Sequence, residues 1–121
     1  MGHRILIVDD EPNIVISLEY LMKKEGFDVA VATDGEAALL KASEFVPDLI
    51  LLDVMMPKKS GFEVCQALRA DAMLAGVKII MLTAKGRETE VAKGLALGAD
   101  AYITKPFSTK ELVIQIKSLL A

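Results

Sequence analysis

The stretch Leu49-Ile50-Leu51-Leu52-Asp53-Val54-Met55-Met56-Pro57 decides the fold. Four apolar residues in a row, with no alternating polar face, suit a strand covered on both sides, as in a parallel sheet between helices. A carboxylate closing so apolar a run must have partners or a task, because an unpaired buried charge is too costly to keep. Three of the four other short runs end at equally distinctive points. Ile5-Leu6-Ile7-Val8 runs into Asp9-Asp10-Glu11, the fourth run ends at Thr83, and the fifth at Lys105-Pro106. As neighbouring parallel strands, these would gather three carboxylates, a hydroxyl and an ammonium in one crevice. That set suits a divalent cation and a phosphoryl group.

Strands are expected at Arg4 to Val8, Asp28 to Ala32, Leu49 to Asp53, Lys78 to Thr83 and Ala101 to Thr104, alternating with five amphipathic helices. Strict alternation predicts an α/β fold, a doubly wound five-stranded parallel sheet flanked by five helices. The third run is the most apolar and belongs at the centre. The first helix, Asn13 to Glu25, puts Ile14, Leu18, Leu21 and Met22 on one face and stops at Gly26. The second opens at Asp34-Gly35-Glu36 and ends at Pro47, and the third starts near Ser60-Gly61. The fourth, Glu88 to Leu97, is only weakly apolar through Val91 and Leu95, so it is expected to move most readily. The fifth, Ser108 to Leu120, opens with Ser108 and Glu111 in capping-box spacing. Such sheets bind ligands beyond the carboxyl ends of their strands, where strand order reverses. The order 2-1-3-4-5 would bring Asp9 and Asp10 opposite Asp53.

One domain over residues 1–121 is expected from the length, without need of disulfides. The lone Cys65 lies on a helix-like stretch and reads as a small buried apolar residue, compatible with a reducing cytoplasm. A formal net charge of -3 argues against direct binding of nucleic acid by this domain. The apolar runs are far shorter than the roughly 20 residues that span a bilayer, so no membrane partner is expected. No signal-peptide pattern opens the chain, and a cytoplasmic location follows.

Carboxylates this close must share a proton or bind a cation. Oxygen ligands favour Mg²⁺, with Mn²⁺ as a substitute, whereas zinc lacks ligands because Cys65 and His3 lie away from the acids. Singly, each feature has an ordinary reading. An acidic triplet before Pro12 is most often a cap or solvated turn, Thr83 a β-branched strand residue, Tyr102 a half-buried aromatic, and Lys105-Pro106 a turn. The second acidic strand end shifts the balance towards a site.

Val8-Asp9-Asp10-Glu11, Asp53 to Pro57, Gly61, Thr83-Ala84, Gly98-Ala99-Asp100-Ala101-Tyr102 and Lys105-Pro106-Phe107 together resemble a two-component response-regulator receiver domain of the CheY-like type. The resemblance covers essentially the whole chain and implies a flavodoxin-like fold. It implies that Asp53 accepts a phosphoryl group from a histidine kinase or a histidine phosphotransfer protein. It also implies Mg²⁺ held by Asp10, Asp53 and the Met55 carbonyl, with Asp9 acting mainly through water. Lys105, Thr83 and Ala84 would serve the phosphoryl group, and Thr83 and Tyr102 would relay its presence to helix four, strand five and helix five, the surface for a downstream output partner. Met55 and Lys85 flank the site where such domains tune hydrolysis. A cis peptide is expected between Lys105 and Pro106, aiming the ammonium into the crevice. Dimerising transcription-factor receivers carry charges on the output surface where this chain has Val91, Ala101 and Gln115, so a monomer or weak dimer is expected.

Two other readings stay open. A haloacid-dehalogenase-like phosphatase also uses an aspartyl nucleophile and Mg²⁺, but it wants an acid at the position of Met55. An interaction domain independent of phosphorylation would not need all five site residues, and here all five are present. An FMN-binding relative is disfavoured because Asp9-Asp10-Glu11 would repel phosphate, and no glycine-rich phosphate loop follows any strand.

Overall fold

The computed structural model describes residues 2–56, 58–84 and 88–121. Pro57 of the opening motif and Lys85 lie outside the described residues. Strands β1 (Arg4–Val8), β2 (Asp28–Ala32), β3 (Leu49–Asp53), β4 (Lys78–Ala84) and β5 (Ala101–Lys105) form one parallel sheet in the order β2-β1-β3-β4-β5. Helices α1 (Pro12–Lys24), α2 (Gly35–Phe45), α3 (Gly61–Ala70), α4 (Glu88–Ala96) and α5 (Thr109–Leu120) connect them. This is the doubly wound arrangement expected, with β3 central and wholly buried.

Strand ends differ from the sequence reading by one residue, β4 reaching Ala84 and β5 reaching Lys105. Helix α1 begins at Pro12, which tolerates the first helical position because it has no amide to satisfy there. Helix α2 stops at Phe45, ahead of Pro47, with Val46 in the left-handed conformation (φ 49°) and its amide returned to the Ala42 carbonyl. A β-branched residue in that region is strained.

Two apolar layers sandwich the sheet. Ile5, Ile7, Leu49, Leu51, Ile80 and Leu82 meet Leu18, Met22, Leu112 and Ile116 of α1 and α5. Leu6, Val8, Ile50, Leu52 and Met81 meet Ala38, Ala42, Val64, Cys65 and Leu68 of α2 and α3. Side chains alternate between faces along a strand. Asp9, Asp53 and Lys105 therefore share the parity of the α1/α5 layer, whereas Thr83 shares that of Met81, beneath α2–α4. Helix α4 has the least anchorage: Gly94 is its one buried residue among those described, and Leu95 is exposed.

Caps and close approaches hold the loops around the strand ends. Asp34 caps α2 through the Ala37 amide at 2.8 Å, Ser60 and Glu63 form a reciprocal capping box on α3, and Ser108 Oγ accepts from the Glu111 amide on α5. Gly61 lies against the backbone of β3: a Cβ there would sit 2.3 Å from the Asp53 carbonyl oxygen. Only glycine lets the start of α3 come that close, and the contact fixes the loop that carries Met55.

Candidate functional site

The crevice forms where β1 pairs with both β2 and β3, the point at which strand order reverses. Asp9 follows β1, Asp53 ends β3, and one carboxylate oxygen from each of Asp9, Asp10 and Asp53 lies within 4.8 Å of the others. Asp9, Asp53 and Thr83 are buried, while Asp10 faces solvent. Lys105, at the end of β5, spans the group. Its Nζ lies 2.9 Å from Asp9 Oδ2, 3.0 Å from Glu11 Oε1 and 3.4 Å from Asp53 Oδ1. The shared parity of residues 9, 53 and 105 explains why the ammonium meets those two aspartates. The peptide bond joining Lys105 to Pro106 is cis.

Electrostatics follow from burial. The Asp53 carboxyl is pushed up to about 7, first by loss of solvent and then by the neighbouring Asp9, with Lys105 opposing both. Burial works against the Lys105 ammonium, but Asp9, Glu11 and Asp53 outweigh it and hold the lysine charged well above its ordinary range. Two buried oxygens lack a hydrogen-bond partner among the described residues, Asp9 Oδ2 and Thr83 Oγ1. For Asp9 Oδ2 the lysine contact is an ion pair off the hydrogen-bond direction, so the oxygen keeps accepting capacity.

These residues fit a hard divalent cation. The donors are all oxygens, their negative charge is only partly offset by one ammonium, and an under-coordinated buried carboxylate oxygen points to a missing positive group. Sulfur does not compete, because Cys65 is buried in α3 with its thiol against the Leu97 carbonyl. Met55, two residues beyond the strand end, is exposed.

Thr83 and Tyr102 occupy one face of the sheet, since Thr83 pairs with Thr104 and Met81 with Tyr102. Ala84 ends β4 as an exposed residue. The Tyr102 ring is 43% exposed and borders a shallow cleft of about 470 Å³ shared with Leu95, Asp100, Glu111 and Gln115, between α4 and α5.

Three groups escaped the sequence reading. Glu11 appeared there within an acidic turn and its motif but with no role of its own, and it is a direct partner of Lys105. Lys58, in the left-handed conformation at φ 69°, lies 3.7 Å from both Asp34 and Glu36 and ties the loop after β3 to α2. Arg69 binds the Ala75, Val77 and Gly98 carbonyls and the Asp100 carboxylate. Asp100 was visible within its motif, but nothing local marks Arg69 as its partner.

Among known proteins, a family model described as the response regulator receiver domain matches residues 5–117. The alkaline phosphatase synthesis transcriptional regulatory protein PhoP of Bacillus subtilis is 50% identical over 120 residues, covering 99% of this chain and 49% of that protein. The DNA-binding response regulator MtrA of Mycolicibacterium smegmatis is 48% identical, covering 99% and 51%. The chain thus spans about half the length of these curated relatives. A putative response regulator from Chloroflexus aurantiacus superposes with a TM-score of 0.96 at 34% identity, covering 99% of this chain and 98% of that one. The chemotaxis response regulator CheY4 of Vibrio cholerae gives 0.92 at 31%, covering 98% and 99%. Strand order, acidic crevice and relatives converge on one assignment: the chain belongs to the response regulator receiver domain family, the signalling domain of two-component systems.

Proposed function

We propose that Asp53 is the phosphoacceptor of this receiver domain. The supporting observation is that Lys105 bridges the buried Asp53 and Asp9 carboxylates beside Asp10. An Asp53 oxygen attacks the phosphorus of a phosphohistidine, the P–N bond breaks, and the imidazole leaves with the bonding pair as an acyl phosphate forms. Positioning and charge neutralisation carry such a transfer, since the protein has little covalent chemistry to perform. Asp10, Asp53 and the Met55 carbonyl, with Asp9 behind them, would hold Mg²⁺ or Mn²⁺, which supplies charge neutralisation at the transferring group. Lys105 opposes the effect of burial on Asp53, whose carboxyl still lies near 7, and then pairs with a phosphoryl oxygen. Thr83 has a buried hydroxyl free to donate to another, and Ala84 leaves room beside it.

The partners that fit are a histidine kinase or histidine phosphotransfer protein upstream, and an output domain or protein that reads α4, β5 and α5. Thr83 and Tyr102 would couple site to surface: a hydroxyl drawn to the phosphoryl group vacates space beneath α4 for the Tyr102 ring. Because the MtrA relative is a DNA-binding regulator twice as long, any DNA contact belongs to residues beyond this receiver, whose net charge is -3. No helix among the described residues is long and apolar enough to cross a membrane. A cytoplasmic location and a monomer or weak dimer complete the proposal. The test is incubation with acetyl phosphate, with and without Mg²⁺, followed by intact mass. One phosphoryl adduct that needs Mg²⁺ and vanishes in Asp53→Asn is expected. An adduct that survives that substitution, or turnover of many small phosphate esters, would overturn the assignment.

A further inference from the structure

Glu11 occupies the N-cap position of α1, yet its side chain makes no capping hydrogen bond. The short side chains of Asp, Asn, Ser and Thr at that position accept from the first amides of the helix, whereas glutamate is long enough to reach elsewhere. Glu11 reaches across to Lys105 Nζ at 3.0 Å, a residue 94 positions away, while its own amide donates to Asp9 Oδ1 at 2.9 Å. The ammonium therefore sits closer to Glu11 and Asp9 than to Asp53, which it meets only at 3.4 Å. Of the two competitors, Asp9 is buried inside the acidic cluster. Glu11 lies outside it, 59% exposed on its side chain, so the Glu11 contact is the one that can open without disturbing the acids.

We propose that Glu11 is a positioning residue that acts as a latch on Lys105, drawing the ammonium away from Asp53 in the resting protein. The idea rests on the phosphoacceptor reading above. Phosphorylation requires Lys105 to turn to the new phosphoryl oxygens, so the Glu11 contact competes with the phosphorylated state and slows entry into it. The latch is weak by design, because a half-exposed ion pair is readily exchanged.

Two substitutions separate the contact from its charge. Glu11→Gln removes the charge, and Glu11→Asp keeps it on a side chain one methylene too short to hold Lys105 in place. Both are expected to raise the initial rate of phosphorylation by acetyl phosphate, and to tighten beryllofluoride binding, by about threefold, the scale of a half-exposed ion pair. In metal-free crystals of both variants the Lys105 to Asp53 separation should close to about 2.8 Å, the length of an unhindered charge-assisted bond. Acceleration in Glu11→Gln alone, with Glu11→Asp matching wild type, would show general charge repulsion and overturn the latch. So would unchanged or slower rates in both, or an unmoved Lys105. Wild type that takes no phosphoryl group at all would overturn the phosphoacceptor reading itself, and the latch with it.

Discussion

Two polar clusters lie on the α3–β4 and β1–β3 sides of this molecule, the first partly exposed and the second largely buried, and they are built on opposite principles. Around Arg69 every group has a partner: the guanidinium makes four hydrogen bonds, to the Gly98, Ala75 and Val77 carbonyls and to Asp100 Oδ2. The same Asp100 oxygen also accepts the Ile79 amide at 2.8 Å. Around Asp53, one ammonium is divided among three carboxylates and the Thr83 hydroxyl has no partner among the described residues. A saturated network fixes one geometry, and an unsaturated one is costly unless something else completes it. The first cluster therefore suits a fixed structural role, and the second suits one that takes a ligand.

The sharpest way to break this comparison is to remove Arg69. Arg69→Met keeps an apolar stem of similar length but removes the partner of the part-buried Gly98 and Val77 carbonyls and leaves Asp100 Oδ2 with only the Ile79 amide. A loss of about 3 kcal/mol is expected in urea unfolding, the scale of losing a network of charge-assisted hydrogen bonds. Phosphorylation of the folded protein should stay within about twofold of wild type, since no Arg69 contact reaches the crevice. A large kinetic defect with unchanged stability would reverse the roles of the two clusters.

Legibility in the sequence tracks the range of the interaction. The run from Leu49 to Leu52 announced a central strand because burial on both faces leaves an unbroken apolar signal, and four further runs fixed the sheet. Asp9, Asp53, Thr83 and Lys105 were visible because each stands where an apolar run stops, so topology alone collects them. Weak anchorage of α4 was visible from its sparse apolar residues. Arg69 was not, because its partners are carbonyl oxygens, which carry no residue identity. Glu11 was read as turn chemistry since its cap position is local, while its actual contact is set by where β5 ends. Lys58 escaped for the same reason: its loop meets α2 only after α3 has docked against β3.

A second prediction concerns charge within the crevice. An acid whose pKa is higher folded than unfolded binds protons more readily in the native state, so its contribution to stability falls as pH rises. For Asp53 that window runs from about 4, the ordinary carboxylate range, up to about 7. Asp53→Asn removes the cost. In chelator, the variant should be more stable than wild type by about 2 kcal/mol at pH 8, with the gain shrinking towards pH 4. Unfolding curves at both pH values check this, and an equal difference at the two would show that burial, not ionisation, sets the effect.

The smallest effect is expected at Thr83, and it separates folding from signalling most cleanly. Its hydroxyl is buried without a partner among the described residues, so it subtracts from stability in the resting state. Thr83→Val replaces it with a methyl group of nearly the same shape. Because deleting an unsatisfied polar group from a fitted site is close to neutral, the variant should match wild type or exceed it by about 1 kcal/mol. Its phosphoryl response should nonetheless disappear: the Tyr102 ring resonances, which shift in wild type on adding beryllofluoride and Mg²⁺, should stay at their resting positions. Thr83 shares a sheet face with Tyr102 beneath the loosely anchored α4, so a hydroxyl that moves is the shortest link between them. A destabilised variant that still shifts Tyr102 would mean that the hydroxyl belongs with the saturated cluster after all, and that the signal leaves the crevice along another strand.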